Sequence, residues 1–76
     1  MKDKIYKYNG SGNLYKVIQE ALMKNPQTRN WDECVIYRSY KNLCENGTYI
    51  SVPEDDILVF VREKSEFLTK FEEVNE

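Results

Sequence analysis

The stretch Asp32-Glu33-Cys34-Val35-Ile36-Tyr37-Arg38-Ser39-Tyr40 constrains the fold most, because nowhere else do β-branched residues, aromatics and a basic side chain crowd so closely. Such a run reads as the central strand of a small sheet. Alternation puts Cys34, Ile36, Arg38 and Tyr40 on one face and Val35, Tyr37 and Ser39 on the other. Both faces are largely apolar near the middle, so both need covering. The rest of the chain is therefore expected to wrap this strand.

The flanking segments supply the wrapping. Ile5-Tyr6-Lys7-Tyr8 alternates and stops at Asn9-Gly10-Ser11-Gly12-Asn13, a run of turn-forming residues. Gly10-Ser11-Gly12 lacks the third glycine of the dinucleotide fingerprint, which leaves only a weak phosphate signal. From Leu14 to Lys24 two periods overlap. Leu14, Val17, Ile18, Ala21 and Leu22 have helical spacing, whereas Tyr15, Val17, Gln19, Ala21 and Met23 alternate as one face of a strand, opposite Leu14, Ile18 and Leu22. By periodicity alone the helix prevails, but strand is the expectation, on the resemblance given below. Asn25 to Asn30 is a polar connection in which Pro26 cannot donate to a ladder. Trp31, at the entrance of the central strand, is expected to act as a lid on the core.

Asn46-Gly47 is the strongest local turn signal, and Thr48–Val52 would return from it as a short strand. The apolar run Ile57-Leu58-Val59-Phe60-Val61-Arg62 is expected to be internal. Phe67, Leu68 and Phe71 have helical spacing, which predicts a short helix near 63–69 capping one mouth of a barrel. Lys70–Val74 would close the chain as an edge strand blunted by charge. These elements predict a mainly β fold of about five strands with one short helix.

A chain of 76 residues makes one domain, here 1–76, and so small a domain buries only about 60 % of its unfolded surface. A homodimer or higher oligomer would add to its thin core. No apolar run approaches the roughly 18 residues of a membrane span, and Met1-Lys2-Asp3-Lys4 leads into no apolar signal segment, so no membrane partner is expected. A cytoplasmic location follows, with Cys34 and Cys44 as free thiols. The chain has no histidine, its cysteines lack metal-ligand spacing, and its serines lie in no nucleophile motif. The expectation is accordingly not an enzyme, with no metal and no cofactor. Residues 1–41 carry eight Lys/Arg against four Asp/Glu, whereas residues 42–76 carry three against nine. Such polarity reads either as ordinary solvated charge or as a basic, aromatic-lined concavity on an acidic protein.

Tyr6-Lys7-Tyr8-Asn9-Gly10, Asn13-Leu14-Tyr15-Lys16-Val17, Ala21, Val35-Ile36-Tyr37-Arg38-Ser39, Val61-Arg62, Phe67 and Lys70-Phe71-Glu72 follow one another in an order with a counterpart. In that order they resemble a family of short bacterial and phage proteins known only as domain of unknown function 1653. The resemblance covers most of the chain except 41–56, which reads as an insertion, and it implies a small SH3-like barrel without implying an activity. The family pattern has a K-G turn, Y-x-V, V-x-Y, and V-R-P followed by phenylalanine. Glu63 stands where the family prefers proline, and Val59-Phe60 replaces or shifts its aromatic before V-R.

A binding module is the function class that remains, in two versions. In one, Tyr6, Tyr8, Tyr15, Tyr37, Arg38, Tyr40, Lys41 and Arg62 line a pocket for a small anionic, nucleotide-like molecule. In a phage-type protein that pocket would sequester a host signalling molecule. In the other, the same aromatics form a groove or edge that binds and inhibits a host protein. Extended nucleic acid is disfavoured by the pI of about 5.2. The small anion is preferred here because Arg38 and Arg62 both fall on strands expected to be internal. A buried guanidinium needs an anion, which could also be Glu20 or Glu33.

Overall fold

The computed structural model describes residues 1–75. β-Branched and aromatic residues draw most of the chain into strands: β1 (Ile5–Tyr8), β2 (Leu14–Lys24), β3 (Trp31–Leu43), β4 (Tyr49–Ser51), β5 (Val59–Glu63) and β6 (Phe71–Val74). One helix, α1 (Lys64–Lys70), and a 3-10 turn at Glu54–Asp56 complete it. The ambiguous stretch 14–24 is a strand because β3 offers it a long antiparallel partner, from Lys24 opposite Trp31 to Leu14 opposite Lys41. Tertiary pairing overrides the helical spacing.

β3 is the hub. One edge carries β2, while the other carries β5 opposite Cys34–Arg38 and then β4 opposite Lys41–Leu43. β2 pairs β1, and β1 pairs β6, all antiparallel. Segment 41–56 thus contributes the end of β3, the Gly47 turn, β4 and the 3-10 turn. Both expected closing elements, the helix and the edge strand, form where the sequence places them.

The expected closed barrel does not form: the sheet stays open, since no ladder joins β5 to β6 among the described residues. α1 bridges that gap and fills it with side chains instead of hydrogen bonds. Phe67 is fully buried, and its ring stacks on Phe71 at 4.2 Å with 10° between planes. Tyr6 meets Phe67 edge-on at 5.0 Å, and Tyr37 lies 5.2 Å from both Phe67 and Phe71. Val17 and Val35, both fully buried, complete the centre. Cys34 and Val35 are consecutive and both buried, so β3 is covered on both faces there, as its composition demands. Cys34 and Cys44 are free thiols.

Two register shifts decide which side chains share a face. Val17 opposes Tyr37 but Gln19 opposes Ile36, so Ile18 is an extra residue in β2. Simple alternation fails across it: Tyr15 and Val17 point to the core, whereas Gln19, Ala21 and Met23 belong to the opposite face. Leu14 opposes Lys41 and Tyr15 opposes Ser39, so the second extra residue is Tyr40, in β3.

Two further expectations are corrected. The run 57–62 is not internal, because β5 is an edge strand paired only with β3, and Leu58, Val59 and Val61 are exposed. Trp31 is no lid on the core. It is 61 % exposed near the end of the β2–β3 hairpin, paired with Lys24 and bordering a groove beside Leu68 of α1.

Candidate functional site

The aromatic cluster leaves a recess at the β1–β2–β3–β5 surface lined by Tyr8, Tyr15, Tyr37, Phe60, Arg62 and Phe71. Register explains why these residues meet. Arg62 opposes Val35 and Phe60 opposes Tyr37, so both side chains of β5 join the core face of β3. Tyr15 stands edge-on to Tyr37 at 5.6 Å and to Phe60 at 6.0 Å, and Tyr37 stacks on Phe60 at 5.3 Å. Four expected site residues, Tyr8, Tyr15, Tyr37 and Arg62, therefore do come together. Phe60 and Phe71 complete the wall. Phe60 could have been found in the sequence, since it alternates with Arg62.

Arg38 and Tyr40 do not reach this recess. Arg38 opposes Val59 and Lys16, which puts it on the opposite face of the sheet from Arg62. Its Nη1 donates to the carbonyl of Ser39 at 3.1 Å, and its guanidinium lies 6.0 Å from the Tyr40 ring centre. Tyr40 borders a shallow depression with Lys4, Lys16 and Glu73. Lys41 Nζ lies 5.0 Å from the same ring. Tyr6 points inward, and its hydroxyl donates to Glu73 Oε1 at 3.5 Å. Burial pushes that hydroxyl above its ordinary pKa, with Glu73 adding to the shift.

Arg62 is the cation of the recess, and its charge is already answered. Nε donates to the Tyr37 hydroxyl at 2.8 Å and Nη1 to Glu66 Oε1 at 2.8 Å. The guanidinium lies over the rings of Tyr8 and Phe71, at 5.8 and 5.6 Å. The Tyr37 hydrogen bond raises the guanidinium pKa further. Lys70 at 3.1 Å, ahead of Arg62, holds the Glu66 carboxyl below its ordinary range. Neither Glu20 nor Glu33 is the counter-ion: both serve Lys64, at 2.6 and 4.0 Å. The recess holds about 150 Å³, about half the ~300 Å³ at which small-molecule sites begin.

Beyond the recess, large apolar side chains are exposed to solvent. Leu22, Met23 and Trp31 are exposed towards the end of the hairpin, and Leu58, Val59 and Val61 along β5. The outer edge of β5 carries no strand among the described residues. No group of three or more His, Cys, Asp or Glu is placed to hold a metal ion among the described residues. No helix there is long and apolar enough to cross a membrane. No protein-family model, curated protein or solved structure matches the chain.

Proposed function

We propose that the chain is a non-enzymatic protein-interaction module that receives an extended segment of a partner protein along β5. The observation that carries this reading is an open sheet edge whose flanking side chains, Leu58, Val59 and Val61, are each more than half exposed. An added strand would satisfy the edge N–H and C=O groups and cover those side chains together. Soluble proteins blunt such edges with charge, proline or a bulge; Val59–Val61 has none of these, and charge enters the strand only at Arg62 and Glu63. The strand order β6-β1-β2-β3-β5, with a short helix between β5 and β6, supports an SH3-like arrangement whose last seam is open.

The test is capture of a partner by the wild-type chain and by Val61→Lys. A side chain already 57 % exposed tolerates lysine, so the variant should keep its melting temperature and lose the partner. A partner held equally by both proteins would overturn the assignment to β5.

A small anion at Arg62 is the second reading, favoured by a guanidinium held over two aromatic rings at the mouth of the recess. A thermal-shift screen of mono-, di- and cyclic nucleotides against wild type, Arg38→Ala and Arg62→Ala separates the two. A shift seen in wild type and Arg38→Ala but lost in Arg62→Ala would support the anion. A flat response removes it.

A further inference from the structure

The β3–β5 ladder ends at Cys34 opposite Glu63, because the chain turns into α1 at Lys64. Residues Trp31, Asp32 and Glu33 of β3 therefore pair with β2 on one edge and with no strand on the other among the described residues. A groove of about 410 Å³ lies there, between the hairpin and α1. Its apolar walls are Trp31 and Leu68, 61 % and 51 % exposed. Its charged lining is Asp32, Glu33, Glu63 and Lys64. Three acids stand against one lysine, whose ammonium lies 2.6 Å from Glu20 outside the groove and 4.0 Å from Glu33 within it, so the lining is net negative.

We infer that this groove accepts an arginine or lysine side chain from an extended partner segment laid along Trp31–Glu33. An exposed indole gives a cation a ring face, and the acids around it supply the opposite charge. Leu68 and the indole together cover the aliphatic stem of such a side chain. The open backbone of β3 receives the segment itself. At about 410 Å³ the groove lies within the ~300–1,000 Å³ range of binding sites, unlike the recess at Arg62. This inference rests on the reading of the chain as a protein-binding module, but it does not require β5 to be the contact.

Trp31 is the only tryptophan, so its fluorescence reports on the groove directly. The probes are two blocked pentapeptides, Val-Arg-Val-Arg-Val and Val-Glu-Val-Glu-Val, titrated into the whole protein. The arginine peptide should change the emission saturably and lose affinity on adding salt, while the glutamate peptide leaves it unchanged. Glu33→Gln, at a side chain 70 % exposed, should weaken the arginine peptide about two- to five-fold without affecting folding. Glu63→Gln provides the second variant. Equal responses to both peptides, or none to either, would overturn the inference. So would an emission that depends on protein concentration without peptide, because a second copy would then fill the groove. If the peptides fail while Val61→Lys still loses a captured partner, the groove falls and the β5 reading stands. Peptide binding with no role for Val61 gives the reverse.

Discussion

Two glycines show how backbone conformation and space separate at a single residue. Gly12 and Gly47 both have positive φ, +81° and +85°. A Cβ on Gly12 would come within 2.7 Å of Leu43 Cδ2, whereas one on Gly47 meets nothing. Gly12 also accepts the Tyr49 hydroxyl at its carbonyl, so its turn is tied to β4. Gly47→Ala should thus cost about 1–2 kcal/mol from backbone strain alone. Gly12→Ala should cost measurably more in the same urea titration, and an equal loss would show that Leu43 yields freely. Phe67 sets the other extreme. Its ring touches Tyr6, Tyr37 and Phe71, and truncation to alanine is expected to cost about 3–5 kcal/mol. That equals most of the ~5 kcal/mol at the lower end for small domains, so the far-UV spectrum of Phe67→Ala should be largely unfolded.

α1 is held by charge as well as by Phe67, through Lys64–Glu20 to β2 and Glu66–Arg62 to β5, and this gives its docking a pH dependence. The Lys64 hydrogen bond holds the Glu20 carboxyl below its ordinary value of 4.5, and Lys70 does the same for Glu66. For a carboxyl depressed on folding, the contribution is full above 4.5 and disappears as pH falls through the lower folded value. Lys64 is raised above 10.5, so its part is full below that and lost only at higher pH. Melting temperature should therefore hold at neutral pH and fall below pH 4.5, and Glu20→Gln should show a smaller acid drop. An identical drop in both would remove Glu20 from the account. The positions of α1 and β6 were legible because Phe67 and Phe71 are apolar within a charged run. β2 was legible only through its partner, since Leu14 to Leu22 carries both periods. The site was half legible. Alternation in β3 already separates Tyr37 from Arg38 and Tyr40, and placing all three in one recess set that aside. The exposure of Trp31 was hidden, because it depends on how far β2 and β3 outrun the rest of the sheet.

The molecule measures 46 × 25 × 19 Å, with a radius of gyration of 13.5 Å. A compact chain of this length would give about 11 Å. The excess is the β2–β3 hairpin, whose outer residues, Leu22–Lys24 and Trp31–Glu33, pair only with each other among the described residues. That arm brings Leu22, Met23 and Trp31 into solvent, where a partner can reach them. At the opposite pole the first and last strands pair, with Ile5 opposite Val74 and Tyr8 opposite Phe71. Deleting residues 71–76 removes β6 and half of the Phe67–Phe71 stack, so the shortened chain should give a flat thermal melt. A cooperative melt would show that five strands suffice. The pairing of β1 with β6 also fixes the order of events during synthesis. A strand made at the outset waits, unpaired on that edge, until residue 74 has been joined. The core, which includes Phe67 and Phe71, can be completed only once those late residues are available.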